Sequence, residues 1–267
     1  MLTKLIGYEM KAFGRIILPL YGATLGMSLL IGLGVRLLPE EAYSNLFGAT
    51  VIMVFGTLII ATMVMTGVLC VQRFYQNLLG NEGYLMFSLP AGTHQLILSK
   101  VLASLIWTFL GSVTALLTGL ILALTAIPFQ DFVGTIRLLG IKLSELDMQM
   151  VLRGFGSFSG WALVGVLFFT AMLMQIYASM AIGHQWSSHR ILGSVLVYFG
   201  INVIKNIVNG LLAAVGVQIG LTGFLMTQAG KESLIPAQVS EACIAIVLIA
   251  VFSFLTWYFL DRKLNLE

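Results

Sequence analysis

The chain has 267 residues, of which 59% are hydrophobic and 9% charged, with a mean hydropathy of +1.00. A globular domain carries about 25% charged residues, so this chain has too little polar surface to cover a water-soluble sphere, and lipid must be its solvent. A net charge of +3 gives no basis for binding nucleic acid, and the two cysteines, Cys70 and Cys243, sit in apolar stretches as small buried hydrophobes rather than as a disulfide framework.

In chain order, the first 15 residues pattern as an interfacial helix. Leu2, Leu5, Ile6, Met10, Phe13 and Ile16 share one face, with Lys4, Tyr8, Lys11 and Arg15 opposite, where they meet anionic headgroups. Glu9 falls on the apolar side, as a carboxylate snorkelling to water or as half of a salt bridge. The apolar run that follows is too long for a signal-peptide core and lacks a small-residue cleavage site, so the first span is expected to stay as an anchor. Crossing about 30 Å of hydrocarbon takes about 20 apolar residues. Six segments qualify: 16–38, 46–71, 101–128, 158–182, 191–217 and 239–260. The expected fold is an all-α integral membrane protein in one domain. Gly22-x-x-x-Gly26 and Gly156-x-x-x-Gly160 match a close-packing pattern that is common by chance in a chain with 28 glycines.

With the N-terminus in the cytoplasm, the inner side holds Lys4, Lys11, Arg15, Arg73, Lys100, Arg190, Arg262 and Lys263. The outer side holds Arg36, Arg137, Lys142, Arg153 and Lys231, the poorer basic set, so both termini are expected inside.

Between the second and third spans runs an apolar, aromatic segment, 73–100. Phe74 with Leu78, and Tyr75 with Leu79, make helical i,i+4 pairs; Gly80 and Gly83 punctuate it; Tyr84, Leu85, Phe87 and Leu89 keep it apolar; Pro90 stops any helix, and Thr93 is placed to cap the next. Such an element either packs on the protein's own inner surface, lies in the headgroups, or docks a cytoplasmic partner. Its core, Asn81-Glu-Gly-Tyr-Leu-Met-Phe-Ser-Leu-Pro90 closed by Ser99-Lys100, resembles the signature of permease subunits of ABC-2 type transporters, most closely those of Gram-positive bacteria. The resemblance is local; the six spans and amphipathic start extend it loosely over the chain. It implies an elbow helix at 1–15, and a coupling region in which Phe74, Leu78, Glu82, Tyr84, Leu85, Phe87 and Pro90 dock an ATPase subunit. It also implies a short outer re-entrant segment from Gln218 to Gln238 before the last span. The partners it implies are that ATPase, which would bind ATP and magnesium, a second permease subunit, identical or homologous, and membrane lipid. Its location would be the plasma membrane and its direction export. The outer connection 129–157 is longer than in the plainest members, and Ser144-Glu-Leu-Asp147 can open a short surface helix there.

No phosphate loop exists: Gly230-Lys231 is followed by Glu232 and lacks the earlier glycine. This chain is therefore not expected to be an enzyme or to hold a cofactor itself. Glu40-Glu41 is similar to the diglutamate of membrane CAAX-type proteases, but Asn45 stands where an arginine is wanted. His184 and His189, five apart, do not match the usual i,i+4 metal pair and read as a solvated or headgroup loop, with His94 a surface residue. Met63, Met65, Met172 and Met174 read as packing. In the fifth span Asn202, Lys205, Asn206 and Asn209 fall within about 100° of arc. This is either an interhelical polar stripe with Lys205 snorkelling to the outer interface, or the lining of a translocation path. A stand-alone secondary transporter or channel is the alternative function; a membrane enzyme or assembly factor would need an acid, base or metal cluster that the spans lack.

Overall fold

The computed structural model describes residues 2–37, 45–80, 83, 92–126, 133–134, 137–138, 140–141, 148–186, 189–214 and 237–262. The described elements are helical: α1 (Leu2–Leu37), α2 (Asn45–Phe74) running into one π-helical stretch (Tyr75–Leu79), α3 (Thr93–Ala126), α4 (Met148–Gly183), α5 (Arg190–Ala214) and α6 (Ala237–Arg262). Among the described residues six helices are long and apolar enough to cross a membrane, the build of a multi-pass membrane protein. The Gln218–Gln238 segment lies outside the described residues as far as position 236, and so does Ser144–Asp147.

Three boundaries differ from the sequence expectation. Residues 2–15 form no separate helix; they are the first turns of the 36-residue α1, which at 1.5 Å per residue is about 54 Å long. The break expected near residue 15 is reduced to Pro19, which has no N–H to give the Arg15 carbonyl. α3 starts at Thr93, eight residues before its fully apolar stretch, because nothing in 93–100 breaks a helix. α4 starts at Met148, so the polar residues ahead of the fourth span continue into it without a turn.

The chain divides into two compact units, residues 1–70 with 102–152, and residues 71–101 with 153–267. In the first, α1 presents one buried stripe, Glu9, Phe13, Ile17, Tyr21, Thr24 and Ser28, spaced four and three residues apart as a helix requires. Glu9, only 5% exposed, lies inside rather than snorkelling to water. The Tyr21 hydroxyl donates to the Trp107 carbonyl (2.9 Å) and lies 3.3 Å from the Thr66 hydroxyl. That close approach needs Gly111, where a Cβ would stand 2.6 Å from the Tyr21 oxygen. Thr24, Thr62, Thr114 and Thr118 line a small cleft, and each hydroxyl donates to a carbonyl one turn back on its own helix. Buried polarity in this unit is thus largely satisfied locally, as a lipid-embedded bundle demands.

Candidate functional site

In the second unit, two groups of residues bear on function. The first is the junction that follows α2. Here the helix widens: the Gly80 N–H donates to the Tyr75 carbonyl at 2.8 Å, five residues back. Phe74 stacks flat on Tyr177 of α4, with ring centroids 3.9 Å apart and planes 7° apart. Both rings are fully buried, and so is Leu78. Tyr75 meets His184 edge-on at 6.4 Å. Phe74 and Leu78, expected from their i,i+4 spacing to share a face, are both buried, so they face inward against the protein itself. Glu82, Tyr84, Leu85, Phe87 and Pro90 lie outside the described residues.

On the far side of that run, α3 begins differently from its expected cap. The Gly92 carbonyl receives the N–H groups of Gln95 and Leu96 at 2.8 and 3.3 Å, so Gly92 holds the cap position, which glycine tolerates well. The Thr93 hydroxyl is thereby released to donate to Asp261 of α6 at 3.0 Å. His94, on the surface as expected, stacks on Trp257 of α6 (5.0 Å, 15°). The segment is thus tied to α4 before residue 81 and to α6 after residue 91.

His184 corrects its sequence reading. It is 6% exposed, its backbone N–H donating to the Met180 carbonyl (3.0 Å) in the turn that leaves α4. Burial, and secondarily the positive charge of Arg190, hold its imidazole below the ordinary histidine pKa. This tight turn brings Gly183 against the backbone of Ser194, leaving no room for a Cβ. Among the described residues no cluster of three or more His, Cys, Asp or Glu could hold a metal ion.

The second group is the polar stripe of α5. Asn202 turns its amide back to the Tyr198 carbonyl of its own helix (2.9 Å), while Asn206 and Asn209 are exposed. Lys205 does not extend toward the C-terminal end of its helix, where snorkelling would take it; its ammonium donates to Gln175 Oε1 of α4 at 2.8 Å. Side chains on a helix lean toward its N-terminus, and the N-terminus of α5 is the Arg190 end. The lean therefore carries the lysine back along α4 to Gln175, itself 2% exposed. Sequence reasoning missed Gln175, although a lone glutamine within an apolar span is the signal that could have found it.

The class defined by these observations is a multi-pass membrane protein that has, among the described residues, six helices apolar enough to span and a lysine–glutamine contact between two of them. No protein-family model, no curated protein and no solved structure matches the chain.

Proposed function

We propose that the chain is the transmembrane permease subunit of an ATP-driven exporter of the ABC-2 type. It would work with a separate ATP-binding subunit and a second permease copy in the plasma membrane, both termini on the cytoplasmic side. The observation that carries this reading is how the 73–100 segment is tethered. Phe74 and Tyr75 join its start to Tyr177 and His184; Thr93 and His94 join its end to Asp261 and Trp257. A force applied to the apolar run between them would reach α2, α3, α4 and α6 together, as a coupling element requires. In this arrangement Phe74 and Leu78 anchor the element, which leaves Glu82, Tyr84, Leu85, Phe87 and Pro90 to touch the partner. The partner's nucleotide state would bias the permease between two conformations. A secondary transporter is favoured by one observation, the Lys205–Gln175 contact, since charged groups within spans mark coupling sites in such proteins.

The deciding experiment is purification of the protein from its native membrane in mild detergent, with co-purifying proteins identified and ATPase activity assayed. A stoichiometric ATPase is expected, with the association lost in the double variant Tyr84→Ala, Phe87→Ala. A folded preparation with no ATPase bound would remove this reading and leave the secondary transporter.

A further inference from the structure

We propose that Lys205 and Gln175 together form a binding point for the carboxylate of an apolar, single-chain acid held within the membrane. An ammonium has three N–H donors and no acceptor, and Lys205 directs one to Gln175 Oε1. Because lysine can only donate, this contact fixes which way the amide points, and the Gln175 NH2 group faces elsewhere. That buried NH2 makes no hydrogen bond among the described residues. What the two side chains still offer is mostly N–H donors, two on the ammonium and two on the amide NH2 against one spare lone pair on Oε1, next to a positive charge. A cation is repelled by such a set, and an apolar group leaves it unsatisfied; a carboxylate accepts from both.

Depth and surroundings narrow the class further. Gln175 is about 12 Å along its helix from Gly183, and Lys205 about 22 Å from Arg190, so the contact falls within the hydrocarbon core rather than at a headgroup. On the helix bearing Lys205, Ile204 and Val208 lie to the same side of the lysine at about 100° and 60° around the axis, and both are exposed, at 62% and 46%. A small hydrated anion would have to shed its water to reach this depth. An acid with a hydrocarbon tail already resides in the bilayer and reaches Lys205 laterally, its tail along those side chains. This inference needs no nucleotide-binding partner and stands whether or not one exists.

The test uses the full-length protein in nanodiscs of uncharged lipid, titrated with dodecanoate labelled with 13C at the carboxyl carbon and followed by NMR. Dodecanol and chloride serve as competitors. Saturable dodecanoate binding is expected, weakened at least about tenfold in Lys205→Met, the loss of one charge-assisted contact, and largely restored in Lys205→Arg. Gln175→Glu supplies an internal carboxylate to Lys205; it should abolish binding while keeping or raising the melting temperature, so it remains informative if Lys205→Met does not fold. Unchanged dodecanoate affinity in folded Gln175→Glu would overturn the proposal. So would displacement by dodecanol as effective as by unlabelled dodecanoate, which would make the tail alone responsible. Displacement by chloride at matched concentration would also overturn it, in favour of a small inorganic anion.

Discussion

At the scale of single residues, the decisive feature is where polar and aromatic side chains point. Phe74 and Leu78 were identifiable as a helical pair from spacing alone. That they face Tyr177 and the interior was not, because spacing defines a face without naming what covers it. His184 shows the same gap: two histidines beside a tryptophan and serines read as a wet loop, yet a tight turn folds the first under Tyr75. This burial has a pH consequence. The folded-state pKa lies below the ordinary value of 6.5, so as the pH falls through 6.5 the unfolded chain takes up a proton before the folded one does. The neutral imidazole's contribution is complete above that value and is lost progressively toward the lowered folded pKa. The melting temperature of the purified protein should therefore fall between pH 7.5 and 5.5. His184→Gln should flatten that dependence, measured by intrinsic fluorescence at each pH; an equal slope in the variant would assign the effect to other groups.

At the scale of elements, the apolar periods located the helices because a helix that spans a bilayer is dictated by its own sequence: length, hydropathy and the absence of breakers act within each segment. Ends were less legible. α1, α3 and α4 run beyond their apolar stretches because a helix, once nucleated, propagates through residues that do not break it. Glycine patterns were least legible of all. Around Gly22 and Gly26 a Cβ would meet nothing within 4 Å, whereas Gly183 has the Ser194 backbone against it. Gly183→Ala is expected to lower stability by about 1–3 kcal/mol, the usual cost of overpacking. Gly22→Ala and Gly26→Ala should be neutral, or stabilising by up to about 1 kcal/mol through helix propensity. Thermal denaturation in detergent compares the three. A marked loss for Gly22→Ala would mean that another chain packs on that face.

At the scale of the whole molecule, the sidedness of the helices follows from basic residues that no single helix contains. With the richer basic set inside, fluorescent-protein fusions at either terminus should be bright, while alkaline phosphatase fused after residue 140 should be active, reporting an outer location. The reverse pattern would invert the orientation and place the 73–100 segment outside, where no nucleotide-binding partner could reach it. The proposed transporter therefore stands on this test as well as on the purification.

The sequence by itself determined the solvent, the number of spanning helices and their approximate extents, since each depends on hydrophobicity summed along a contiguous stretch. It also marked the 73–100 segment and the α5 stripe as unusual. Only the tertiary structure decided that Glu9 and His184 are buried, that Thr93 reaches Asp261 instead of capping its own helix, and that Lys205 turns back to Gln175. The contacts of His184, Thr93 and Lys205 each depend on a neighbour from another part of the chain, as far away as the 168 residues separating Thr93 from Asp261. In a bundle whose helices are apolar nearly all round, local hydrophobic pattern does not choose which faces meet; the few polar, aromatic and glycine contacts between helices do.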